Sequence, residues 1–256
     1  MEERQSFRLR WPHYLLALLV YLALLLAWAP ASLLGWALPR FTRQAVMLEQ
    51  PQGTVWNGSA AGLRVQAAGR PQQLGSVDWR LRPLDLLSGR LGYRLQLAGA
   101  GIDARATLRT GLQGTELREV RAELPASLLG QFSADLALWQ PGGRLALDAG
   151  RLVLGKQGAA GKATLRWRDA VSGRVNQSLG SYRADLDGTD QGLAIKLSTE
   201  GGALVLQGAG LWNPKRGLSF NGLARPTPAS RAQLDGLLSL IGPAQGDGSR
   251  AIRIGR

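Results

Sequence analysis

The 256-residue sequence contains no cysteine and a single histidine, His13. Without cysteine there is no disulfide, no thiolate metal ligand and no thiol nucleophile, so the chain must fold by burial alone. His13 sits at the mouth of a long apolar run, where it reads as an interfacial residue rather than a base. With neither His nor Cys beyond it, no Ser/His/Asp or Cys/His arrangement can be built. Phosphate-cradling loops of the G-x-x-x-x-G-K-[ST] or strand-anchored G-x-G-x-x-G type are missing as well. Acidic residues are scarce: 18 Asp and Glu stand against 31 Lys and Arg, for a net charge of +13. The one acidic cluster, Asp185, Asp187 and Asp190, lacks the spacing of a calcium loop and reads as a solvated hairpin turn. No enzyme activity, metal or cofactor is expected. The excess of positive charge calls for an acidic neighbour, a membrane surface or a protein. The arginines are scattered through strand-like segments without a basic cluster, which argues against nucleic acid.

Charge of either sign is absent between Arg10 and Arg40, and Tyr14 to Trp28 reads YLLALLVYLALLLAW. The leucines there each favour insertion by roughly 0.3 to 0.6 kcal/mol, with no central charge to oppose them. Trp11 to Ala31 has the length that crosses about 30 Å of hydrocarbon. Trp11, Tyr14, Trp28 and Trp36 sit near its two ends, where amphipathic rings favour the headgroups. A cleaved secretory signal is the alternative, but the apolar run is longer than the usual signal core and Pro30 obstructs the cleavage site. Arg4, Arg8 and Arg10 place the N-terminus in the cytoplasm. The expected organisation is a cytoplasmic segment 1–13, an inner-membrane anchor 14–38 and a periplasmic β-rich domain 39–256.

From Leu91 onward apolar residues recur at every second position, the spacing of strand side chains. Ile102, Ala104, Ala106 and Leu108 alternate with Asp103, Arg105, Thr107 and Arg109, and similar patterns occur at Tyr93–Leu97, Phe132–Leu138, Leu145–Leu147, Ala163–Trp167, Tyr182–Leu186 and Leu193–Leu197. Gly142-Gly143, Asp187-Gly188, Gly201-Gly202 and Asn213-Pro214 mark turns between antiparallel neighbours. The 34 glycines fit a sheet with many turns and bends. Helical spacing is confined to Leu234, Leu237, Leu238 and Ile241, with single helical turns expected at Pro83–Gly89 and Pro125–Gly130. The fold class is mainly β: after the N-terminal transmembrane helix, a curved, largely antiparallel sheet, folded over or forming an open half-barrel, with one or two short helices. With so little helix to cover it, the apolar face packs on itself, and an incompletely closed face leaves a groove fit for lipid chains. Trp56, Trp79, Trp139, Trp167 and Trp212 lie beside strand or turn signals and are expected to fill the core. Gly208-Ala209-Gly210, inside a strand pattern, marks a bulge or a close backbone approach.

Gly53-Thr54-Val55-Trp56-Asn57-Gly58, shortly after the apolar run, resembles the G-T-[LV]-W-x-G signature of the type II secretion system protein N family. The resemblance continues through Trp79, Leu81, Pro83, Leu87 and Gly89, through Gly161–Trp167, Leu179-Gly180-x-Tyr182 and Gly201–Trp212 including Gly208, to Leu237–Gly242. It implies a noncatalytic inner-membrane subunit of the apparatus that exports folded periplasmic proteins across the outer membrane. Its implied partners are subunits of the inner-membrane platform, with the outer-membrane channel as a further neighbour, and it carries over no active-site residues. The alternative is an AsmA-like envelope protein that binds or bridges lipid.

Overall fold

The computed structural model describes residues 11–67, 70–111, 114–132, 137–154, 159–174, 178–213, 216–239, 245 and 248–255. Thirteen strands lie among the described residues: β1 Val46–Gly53, β2 Asn57–Ala67, β3 Arg70–Leu81, β4 Leu91–Gly99, β5 Ile102–Gly111, β6 Gly114–Pro125 and β7 Pro141–Leu154, followed by β8 Ala159–Ser172, β9 Ser178–Thr189, β10 Gly192–Gly201, β11 Leu204–Asn213, β12 Gly217–Pro226 and β13 Arg250–Ile254. Each pairs antiparallel with the next in one sheet whose spatial order is the order of the chain, leaving β1 and β13 as edges.

Register sorts the side chains by face. One ladder row runs through all thirteen strands: Pro51, Ala60, Val77, Leu97, Ala104, Ala122, Leu147, Leu165, Ala184, Leu197, Gly208, Gly222, Ile252. Every member is apolar, and none is exposed. The adjacent row on the other face is Gln52, Ser59, Asp78, Gln96, Arg105, Arg121, Asp148, Thr164, Asp185, Lys196, Ala209, Asn221, Arg253. Apart from Ala209 it is polar, and it is largely exposed. A one-residue slip anywhere would invert this sorting for the strands beyond, so burial of the apolar row fixes the register.

Strongly twisted open sheets of more than about ten strands rarely stay uncurled. Here Cα atoms of β9 and β11 come within 8 Å across β10, where flat spacing would hold them about 9.5 Å apart. Two helices cover parts of the apolar face. At one end α2 (Ser32–Phe41) sets Leu34, with Ala31 before it, against Leu48, Ala60, Val77 and Trp79. At the other, α5 (Arg231–Leu238), entered through a 3₁₀ turn at Pro228–Ser230, buries Leu234 and Leu238 against Ala170, Leu179, Tyr182, Leu204 and Ala224. Each fully buried leucine contributes roughly 1.5–3 kcal/mol. Between the two, Ala149, Leu152 and Ala163 are buried among strand residues alone.

The short turns expected near residues 83–89 and 125–130 are α3 (Pro83–Leu86) and α4 (Leu128–Phe132). Phe132 therefore closes a helical turn and does not begin a strand, and 133–136 lie outside the described residues, as does Ile241. Gly142-Gly143 lies within β7, where a positive φ of 94° at Gly143 accompanies a register shift, and is not a turn. Asp187-Gly188 likewise lies within β9; the turn falls at Asp190-Gln191.

The apolar N-terminal sequence forms α1 (Trp11–Ala27), broken from α2 at Trp28–Ala31. Among the described residues no helix is long and apolar enough to cross a membrane, and α1 has 17 residues. Its large apolar side chains, from Tyr14 to Leu26, are 50–63% exposed, so nothing in the described protein covers them.

Candidate functional site: the helix clasp and the basic face

The signature hexapeptide is the β1–β2 turn, folded against the end of α1. The last turn of any helix leaves carbonyl groups without intrahelical donors. Here the Trp56 indole N–H donates to the Leu26 carbonyl oxygen at 2.7 Å, and the Val55 N–H donates to that of Ala29 at 2.9 Å. In return the Ala31 N–H donates to the Gly53 oxygen at 3.0 Å, and Pro30 bridges Thr54. The Thr54 hydroxyl accepts from the Asn57 N–H at 3.0 Å and closes the turn. Gly53 adopts φ 84°, the left-handed region glycine alone enters freely. A Cβ on Gly58 would stand 2.7 Å from the Trp79 ring. Trp79 is 4% exposed, fills the space beneath the turn, and donates its indole N–H to the Thr54 oxygen at 3.1 Å. Gly53, Thr54, Val55, Trp56, Gly58 and Trp79 thus form one unit, which ties the α1–α2 junction to the sheet.

The remaining motif residues lie elsewhere. Tyr182 is 2% exposed; its hydroxyl is 2.9 Å from the Leu204 oxygen and 3.1 Å from that of Leu179, and burial raises its pKa. The Trp167 ring packs against it at 5.9 Å between centroids, tilted 57°, and its indole N–H donates to the Gly142 oxygen. Gly180 (φ 137°) lets its backbone approach that of Gly202. Gly208 is a close approach, as its spacing with Gly210 suggests: Cβ atoms there would lie 2.6 and 2.8 Å from the Phe220 ring. Trp212 is half-buried, paired with Leu193 and Leu218. Tyr182 and Trp167 belong to the core that α5 covers, Trp212 lies at the other end of β11, and none of these residues joins the clasp. Tyr14, Trp28 and Trp36 are 62%, 81% and 61% exposed, with the Arg40 guanidinium 3.8 Å over the Trp36 ring. Trp11 opens α1, and its side chain lies outside the described set.

The arginines are not scattered once the strands pair, contrary to the sequence reading. A second row on the polar face runs Arg80, Arg94, Thr107, Arg118, Arg151, Lys162. Arg105 lies directly opposite Arg121 in the neighbouring row. Directly opposed like charges destabilise a sheet unless something neutralises them. Part of the neutralising charge is internal. Glu116, 6% exposed, is contacted by Arg118 at 2.7 Å, Arg151 at 2.5 Å and Arg90 at 3.6 Å, and the hydrogen bond from Arg118 leads in holding its carboxyl below the ordinary range. Asp185 is likewise held down, first by the Arg183 hydrogen bond, so it is a strand residue in an ion pair rather than part of a solvated turn. Arg121 meets Asp148 only at 3.9 Å. A groove of about 760 Å³ on this face is lined by Arg94, Arg105, Thr107, Arg121, Asp148 and Lys162 among others. Among the described residues no group of His, Cys, Asp or Glu is placed to hold a metal ion.

Neither the curated proteins nor the solved structures contain a match to the chain. The family model for protein N of the type II secretion system matches residues 44–253, from just before β1 into β13. That match covers the sheet up to Arg253 and the turn that clasps α1, and on it this chain belongs to the type II secretion system protein N family.

Proposed function

We propose that this secretion-system component is a noncatalytic, single-pass subunit of the bacterial inner membrane that supports assembly of the type II apparatus. In this reading α1 is the anchor, the N-terminus with Arg4, Arg8 and Arg10 is cytoplasmic, and the sheet lies in the periplasm. The observation that carries it is the clasp: an apolar helix whose flank no described residue covers ends in a junction that the family's signature turn hydrogen-bonds to the sheet. At about 1.5 Å per residue, 17 residues measure about 25 Å, a few ångströms less than typical hydrocarbon, which local thinning accommodates. The opposed Arg80/Arg94 and Arg105/Arg121 pairs supply the surface for acidic partner subunits, of the platform and of the outer-membrane channel. Placing arginine at Leu22 costs about 2.5–3.5 kcal/mol of insertion. That variant should leave the membrane and lose every secretion subunit that co-purifies with the parent; a soluble variant still found in an intact secretion assembly would refute the reading.

A second reading, lipid binding, draws on the unbroken apolar row from Pro51 to Ile252. A continuous apolar track across a sheet with unpaired edges has the chemistry to hold acyl chains. Mass spectrometry of the purified chain for stoichiometric phospholipid separates the two.

A further inference from the structure

The leucines of the proline–leucine turn after β3 take no part in the clasp or the basic face, yet the turn is held by ion pairs and displays them. In α3 and the residue after it, Leu84 is 76% exposed and Leu87 is 87% exposed, three positions apart and therefore on one side of the turn. Leu86 and Leu91 add 45% and 41%. Between them Asp85 turns the other way and is buried, its carboxylate accepting from Arg109 Nε at 3.1 Å and Nη2 at 2.8 Å, with Arg82 at 3.3 Å. The Asp85 carbonyl oxygen accepts from the Ser88 hydroxyl at 2.7 Å and from the Arg90 N–H at 3.1 Å. Presenting the leucines costs this turn little further order, because the ion pairs have already fixed it.

The position of the turn identifies what covers it. The Leu81 N–H donates to the Trp56 carbonyl at 2.6 Å, and the Trp56 indole donates to Leu26 at the end of α1. Leu84, three residues beyond Leu81, therefore stands at the end of the sheet from which α1 leaves. Close by in sequence, Arg80 and Arg90 are exposed, Arg90 reaching Glu116 at 3.6 Å, and Arg82 is half-buried on Asp85. Leucines with arginines close by in sequence at the exit of an apolar helix match the apolar boundary and anionic headgroups of a bilayer. We infer that Leu84 and Leu87 insert into the surface of the membrane that holds α1, giving the sheet a second point of attachment. This rests on the anchor reading above, and the second attachment holds this end of the sheet against the membrane surface.

Because the sequence has no cysteine, a single introduced cysteine reports on one place. The full chain is reconstituted in vesicles of zwitterionic and anionic phospholipid, with an environment-sensitive fluorophore on Leu84→Cys, Leu87→Cys, Leu19→Cys in α1, or Leu138→Cys at the opposite end of the sheet. Emission at 84 and 87 is expected to shift to the blue and to be lost to brominated lipid as it is at 19, while emission at 138 is unaffected. Loss at 19 with water-like emission at 84 and 87 overturns the inference and leaves the anchor standing. No loss at 19 overturns the anchor and this inference with it.

Discussion

Trp56 and Leu26 are thirty residues apart, and the indole N–H of one donates to the carbonyl of the other at 2.7 Å. Through this bond a family-signature residue satisfies the open end of an apolar helix, so the orientation of α1 is set by the sheet rather than by a flexible link.

Replacing Trp56 by Phe keeps an aromatic ring and removes the donor. Because the bond lies at an exposed place, its loss should cost no more than about 0.5–1.5 kcal/mol of stability. The sensitive readout is orientation: the distance distribution between spin labels at Leu19→Cys and Gln96→Cys should broaden in the Phe variant. An unchanged distribution would show that the clasp does not position α1.

Gly208 is expected to resist even one added methyl, since its Cβ would fall 2.6 Å from the Phe220 ring and from the Asn221 oxygen. Such overpacking costs about 1–3 kcal/mol, with Tm falling by roughly 2–4 °C per kcal/mol for a domain of this size. Gly201→Ala, where a Cβ meets nothing within 4 Å, is the control and should leave Tm nearly unchanged.

Glu116 gives the acid limb of stability a definite sign. Its folded pKa lies below the ordinary 4.5 because Arg118 and Arg151 favour the carboxylate. The stability it contributes is therefore fully present above about pH 4.5 and is lost as pH falls through the folded value. Chemical denaturation should show Glu116→Gln to be less stable at neutral pH and less dependent on pH between about 3 and 5. Parallel curves for variant and parent would mean that the three surrounding arginines do not act on this carboxylate.

Ile195→Asp puts a charge in the apolar ladder beside Leu186 and Gly210. If that face holds acyl chains, phospholipid that co-purifies with the parent chain should be lost from a variant that still folds by circular dichroism. A parent chain that carries no lipid removes the second reading.

How much of this could be read from the sequence depends on the distance over which a signal acts. Strands β4, β5, β8, β9 and β10 follow from alternation, because each needs only its own residues. β1 and β2 escape it: Glu49-Gln50-Pro51-Gln52 supplies few apolar positions, and a register shift between Ala60 and Leu63 breaks the period. Gly188 looks like a turn residue but sits in β9, since a Cβ there would come within 2.5 Å of the Ala160 backbone; glycine answers a close approach as well as a turn. The motif Gly53–Gly58 was legible as a signature, yet its contact with Leu26 was not, for no periodicity links the two. The row from Arg80 to Lys162 was equally hidden, because pairing brings its members together from six strands.

The central claim, that a helix-anchored sheet with a basic face serves assembly of the secretion apparatus, is tested most directly by mild-detergent purification of the full chain from secreting membranes. Quantitative mass spectrometry then identifies the proteins retained, for the parent and for Arg94→Glu/Arg105→Glu. The account predicts secretion-platform subunits retained in stoichiometric amounts by the parent and depleted at least about tenfold by the double charge reversal, equivalent to about 1.4 kcal/mol. Retention of no secretion subunit by the parent, or equal retention by parent and reversal, would contradict it.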